Sequence, residues 1–199
     1  MAAARRRRSI KGVGKIAILI EYEGRRPQVA DTAFLAETAT LVGDVVIGNE
    51  CSVWFGAVLR ADLGPIRVDA YTNIQDNCVI HSETAAGTTI GQRVNIGHGA
   101  VLHDCVVGNG AVIGMNATLL VACKVGHEAL IAAGSVVREN DVVPDRMVAA
   151  GIPATVKKEL GGKAQEFLEH GNKDYLYLIR HYPGGDKLPH LDYIPEHLK

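Results

Sequence analysis

Three histidines, His81, His98 and His103, carry the chemistry that this sequence suggests first. A neutral imidazole is the commonest side-chain metal ligand. Three of them with an open fourth position describe a catalytic zinc site, which lowers the pKa of bound water to about 7 and supplies hydroxide at neutral pH. Most histidines are only exposed surface groups, so the reading depends on whether the fold gathers these three. Arg60, His81 and His103 are separated by intervals of about twenty residues, and linear spacing hides any neighbourhood between them. The repeat that must position them decides the matter.

An aliphatic residue recurs every six positions: Val29, Leu35, Leu41, Ile47, Val53 and Leu59. After a three-residue insertion the series resumes at Val68, Ile74 and Ile80, and after a four-residue insertion at Ile90, Ile96 and Leu102. One residue is then dropped, and Val107, Ile113, Leu119, Val125, Ile131 and Val137 follow, eighteen hexapeptides in all. The fifth residue of nearly every unit is small, for example Ala39, Cys51, Ala57, Cys78, Ala100, Val106, Ala117 and Cys123, with exceptions at insertions or the end such as Asp141. A helix would show period 3.6 and a half-buried strand period 2, whereas a sixfold period with a small partner marks a parallel β-helix. The chain resembles the hexapeptide-repeat proteins, which form left-handed β-helices with three hexapeptides per coil. That resemblance implies an all-β, left-handed parallel β-helix of about six coils, roughly 29 Å tall at ~4.8 Å per coil.

The register assigns outward positions. Arg60, His81 and His103 are each the second residue of units three apart, so they form one stack, with adjacent members ~5 Å apart. Asp76 and His98 are both third residues, of units 8 and 11, and stack on a different face. Outward side chains on two faces of one prism diverge, so His98 is expected to meet the His81/His103 pair of a neighbouring copy. The same packing would bring Asp76 of one copy to Arg60 of the next. Two pairings that ask for one interface predict a homotrimer.

Leu59-Arg60-Ala61-Asp62, Asn73-Ile74-Gln75-Asp76-Asn77, Ile80-His81 and Gly97-His98-Gly99-Ala100-Val101-Leu102-His103 resemble the gamma-class carbonic anhydrase family, from about Tyr22 through the C-terminal helix. The resemblance implies a homotrimer with interfacial metal sites and reversible hydration of CO₂ to bicarbonate. It implies His81, His98 and His103 as ligands, Arg60 and Asp76 as an interface pair, and Asp62 as a structural acid beside them. It further implies Gln75 hydrogen-bonded to the reacting water, Asn73 lining the site, and Tyr175 reaching it from the helix. The expected ion is Zn²⁺, with Fe²⁺ or Co²⁺ also suited to imidazole donors. Two departures stand out. Leu63 occupies the place of a glutamate in the family's best-studied form, and the loop Ser82 to Thr89 is short, with Glu83 its sole acid. Proton removal limits fast hydration, so activity is expected to be slow, buffer-dependent or absent. A non-catalytic metal-binding trimeric assembly module is the alternative. A hexapeptide acyltransferase is a third reading, which a three-histidine set does not favour.

The remaining sequence bounds this reading. The 199 residues carry a formal charge of -1, with 22 glycines and 5% aromatics, a turn-rich composition unlike that of a nucleic-acid binder. No apolar run approaches the ~18 residues of a membrane span, and a cytoplasmic location is expected. Residues 1–16, with Arg5 to Arg8, read as a disordered basic extension, residues 17–143 as the β-helix, and residues 144–199 as exit turn, helix and tail. Ala164 to Tyr182 has helical spacing, with Gly171-Asn172 expected to split it in two and the helix expected to pack along the column. Cys51, Cys78 and Cys123 fall at inward positions, while Cys105 has no evident place.

Overall fold

The computed structural model describes residues 17–182, 188 and 191–195. The basic extension expected over residues 1–16 lies outside them, as does most of the tail from residue 183. Between these limits the chain is a parallel β-solenoid of about seven turns with one helix at its C-terminal end.

The sixfold series becomes three inward stacks. Leu19, Leu41, Leu59, Ile80, Leu102, Leu119 and Val137 pair in register on the first face. Val29, Ile47, Val68, Ile90, Val107, Val125 and Val143 do so on the second. Leu35, Val53, Ile74, Ile96, Ile113, Ile131 and Ala149 form the third. From Leu41 onward these side chains are almost wholly buried. Each large aliphatic adds about 1.5–3 kcal/mol on burial. The small fifth residue lets the chain turn the corner of a narrow prism. Gly99 shows the constraint at such a corner: its φ is 72°, and a Cβ there would lie 2.3 Å from Asn116 Oδ1.

Three expectations need correction. The column does not stop at residue 143, because Met147–Gly151 runs parallel to Leu130–Ile131 before turning back into the antiparallel strand Ala154–Glu159. The repeat faded in the sequence because Ala149 is small and Asp141 replaces the usual small residue, yet the six-residue step from Val143 persists. In the shortened unit Cys105, not Val106, fills the inward position: Cys105 is fully buried and Val106 is 44% exposed. Dropping one residue shifts the alternation by one, and a period of two turns that shift into a reversal of faces. The helix Lys163–His181 is also unbroken at Gly171-Asn172.

Tertiary anchors hold that helix across Gly171-Asn172, where local propensity is poor. The Asn172 amide donates to the Tyr71 carbonyl, and Arg180 pairs with Glu50 at 2.6 Å. Trp54, with its indole N–H on Ser52, makes edge contacts with Tyr175 and Tyr182, and Phe34 completes the seat. Among the described residues no helix is long and apolar enough to cross a membrane. The four cysteines are free and buried. Burial pushes the Cys51 and Cys78 thiols up to about 11, and the Cys105 thiol, against Cys123, is also raised.

Candidate metal centre

Two polar clusters stand on different faces of the column. The first grows from the strands Val58–Val68, Val79–His81 and Val101–His103. Parallel pairing sets Arg60 beside His81 and His81 beside His103. The two imidazoles stack with centroids 5.1 Å apart and planes 27° apart. Asp62 lies two residues after Arg60 and faces both neighbours. Its Oδ2 accepts from Arg60 Nη1 at 2.5 Å, and its Oδ1 accepts from His81 Nε2 at 3.2 Å. Burial acts to raise the Asp62 pKa, but the hydrogen bonds from Arg60 and His81 outweigh it and hold the carboxyl below its ordinary value. The ionised carboxylate can only accept, so the His81 proton sits on Nε2 and leaves Nδ1 as a lone pair.

His103 Nε2 is buried and has no hydrogen-bond partner. Its nearest carboxylate is Glu83, whose Oε2 is 3.8 Å away, while Glu83 Oε1 is 3.8 Å from His81 Nδ1. Those distances exceed a hydrogen bond. Glu83 begins the short loop, which Asp104 holds in place: the nearly buried Asp104 carboxylate accepts the backbone N–H groups of Glu83 and Thr84. Sequence reasoning noticed Glu83 only as the loop's lone acid and missed Asp104. The available signal was the register, which sets the residue after His103 one rung from the residue after His81.

The second cluster sits at the corner before Val101–His103. Asp76 Oδ2 lies 2.8 Å from His98 Nδ1, a close ion-pair contact. A carboxylate beside Nδ1 favours the tautomer that keeps the Nε2 lone pair, the arrangement that orients ligating histidines. Tyr175 reaches this nitrogen from the helix, with its hydroxyl 3.5 Å from His98 Nε2. Burial first, then the charge of Asp76, pushes the Tyr175 phenol up to about 12, so it is a neutral donor at ordinary pH. Gln75 lies beneath: its Oε1 accepts the His98 backbone N–H at 3.1 Å and its Nε2 donates to Asn73 Oδ1 at 3.1 Å. Asn73 in turn donates to Asn95. Gln75 and Asn95 open onto a mostly apolar groove of about 230 Å³ that includes Gly97 and Met115.

Arg60, Asp62, His81 and His103 thus form one group and Asn73, Gln75, Asp76, His98 and Tyr175 another. Among the described residues no hydrogen bond or ion pair joins them. Within a single chain Arg60 is paired with Asp62 and Asp76 with His98.

Residues 87–120 match the family described as bacterial transferase hexapeptide (six repeats). The chain is 39% identical to gamma carbonic anhydrase 2, mitochondrial, of Arabidopsis thaliana over 81% of its length, and it spans 60% of that protein. It is 35% identical to the carnitine operon protein CaiE of Escherichia coli K12, covering 79% of this chain and 81% of CaiE. Its fold is similar to the crystal structure of a hexapeptide transferase family protein from Anaplasma phagocytophilum, with a TM-score of 0.80 and 37% identity over 83% of this chain and 98% of that one.

Proposed function

The chain belongs to the gamma-class carbonic anhydrase family of hexapeptide-repeat proteins, and from that premise we propose that it is a metal-dependent carbonic anhydrase. Its reaction is the reversible hydration of CO₂ to bicarbonate, at sites shared between copies of a homotrimer. A cytoplasmic location is part of the same proposal. The observation that carries it is the stacked pair His81/His103, in which one buried imidazole nitrogen has no hydrogen-bond partner. An unpaired buried polar atom of this kind is costly, and a cation between the rings would relieve it.

The donor chemistry fits an ion. His81 and His103 of one chain and His98 of the next would hold it, as zinc or as iron or cobalt in the divalent state. When bound, such an ion acidifies water enough to supply hydroxide at neutral pH. The chain's residues do the positioning. Asp62 accepts a hydrogen bond from His81 Nε2 and so sets that ring and its tautomer, and Asp76 sits 2.8 Å from His98 Nδ1, where it favours a ring orientation with Nε2 turned outward. Gln75 locks the His98 backbone, donates to Asn73 and, with Asn95, presents amide groups beside an apolar groove suited to CO₂. Tyr175 remains a hydroxyl donor. Arg60, whose side chain is 45% exposed, is free to add Asp76 of a neighbour to its contact with Asp62.

Proton removal is the weak point of this set. Leu63 is 59% exposed, and the short loop contributes Glu83 as its single carboxylate. Turnover should therefore rise with buffer concentration. The apolar Leu63 also favours a second reading, a metal-held trimer that serves as a non-catalytic assembly module. Zinc-loaded and iron-loaded protein tested for CO₂ hydration separates the two. The first reading expects a rate above buffer that His103→Ala abolishes. No such rate in either form, with the metal shown to be bound, leaves the second. Acetyl-CoA binding would instead support acyl transfer.

A further inference from the structure

We infer that Glu83 is itself a metal ligand, and that one chain alone holds an ion on His81, Glu83 and His103. This inference rests on the reading that the ion sits at the His81/His103 pair, and it adds a residue that the three-histidine description omits.

The geometry supplies the argument. The donor atoms of His81, Glu83 and His103 all lie within 4.8 Å of one another. Each Glu83 oxygen faces a different ring, at 3.8 Å from His81 Nδ1 and 3.8 Å from His103 Nε2. That is too long for hydrogen bonds. Two donors on one ion, each at about 2.0–2.2 Å and near tetrahedral angles, are roughly 3.5 Å apart. The three groups therefore surround a space somewhat wider than an ion needs, and separations of 3.8 to 4.8 Å would have to close onto it.

The groups around the set prepare it. Asp62 commits His81 Nε2 as a hydrogen-bond donor and so leaves Nδ1, the nitrogen facing Glu83, as the lone pair. His103 Nε2 has no other partner. Asp104 anchors the loop by two backbone N–H groups, and Gly64 permits the approach, since a Cβ there would lie 2.1 Å from the Thr84 carbonyl oxygen. Two neutral imidazoles and one carboxylate, with positions left open, make a donor set suited to divalent zinc or iron. The Glu83 side chain is 53% exposed, so an ion can reach it from solvent.

The consequence is an order of events. The ion loads onto a single chain through Glu83, and the neighbour's His98 then completes the coordination. Metal capture precedes assembly and does not require it.

Five proteins test this: the unmodified chain, E83Q, H98A, the double variant H98A/E83Q, and H103A as the control for the histidine pair. Zinc bound per chain is measured by equilibrium titration against a chromogenic chelator, and cobalt-loaded samples are compared by visible absorption. H98A should still take one zinc per chain, at least tenfold more weakly, and the double variant should take none. E83Q alone should keep its zinc on three histidines. Cobalt in H98A should give bands that disappear in the double variant. Glu83 is not a ligand if H98A binds no more zinc than the double variant, or if E83Q leaves the zinc affinity of H98A unchanged; the three-histidine reading survives either result. Full zinc binding by His103→Ala would instead remove the pair on which both readings stand, and this inference with it.

Discussion

The two polar clusters differ in how they are built. The His81/His103 group is made by rungs of one face, where each residue is fixed by backbone pairing to the rung below. The His98 group is made at a corner, and Tyr175 joins it from a helix 77 positions later in sequence. The first is as rigid as the column. The second depends on whether an aromatic seat around Trp54 holds the helix down. Half a site can thus be encoded by repeat spacing, while the other half needs long-range packing.

The largest expected effect separates the groups outright. His103→Ala should abolish chelator-resistant zinc while the far-UV circular dichroism of the column stays unchanged, because the side chain is outward and the rung is held by Leu102. Next in size is Trp54→Ala. Removing an indole that is 4% exposed should cost about 3–5 kcal/mol, read as a lower urea midpoint. Hydrogen exchange should show the helix amides, rather than the rungs of His81 and His103, losing protection. Equal losses in both would mean that the two regions are not independent. Asp76→Asn should weaken zinc binding about 10–100-fold, since it replaces the carboxylate that orients His98. A competition titration measures this, and an unchanged affinity would detach Asp76 from the site.

The smallest effect lies outside both groups. The hydrogen bond from Arg67 holds the Asp44 carboxyl below its ordinary pKa of 3.8, against a smaller opposing effect of burial. Because the folded value is depressed, the pair adds stability above the unfolded pKa and loses it as pH falls through the folded one. Both side chains are partly exposed, so Asp44→Asn should cost no more than about 1 kcal/mol at pH 7. The difference between the unmodified chain and this variant should close in acid, and a gap that persists to pH 2 would remove the electrostatic explanation.

The same division governs what the sequence reveals. Counting by sixes yields the pairing of His81 with His103 and the stacking of His98 on Asp76, because a solenoid converts sequence interval directly into height and face. It fails where the interval changes. The deletion after Leu102 exchanges Cys105 and Val106, and the polar residue at Asp141 conceals one more rung. Glu83 was legible as a residue but not as a position, because its place depends on Asp104 folding a short loop back over the pair. The unbroken helix was hidden as well: Gly171-Asn172 reads as a break until the Asn172 amide finds the Tyr71 carbonyl.

Sharing of each site between two copies is tested most directly by mixing defects. H81A lacks one member of the pair and H98A lacks the residue proposed to serve the neighbour, so on this reading neither variant alone should retain zinc against a strong chelator. When the two chains are coexpressed and assemble at random, about a quarter of the sites should join an intact pair to an intact His98 and regain chelator-resistant zinc. Coexpressed protein that assembles as mixed trimers yet retains no zinc would show that His98 does not serve the neighbouring pair.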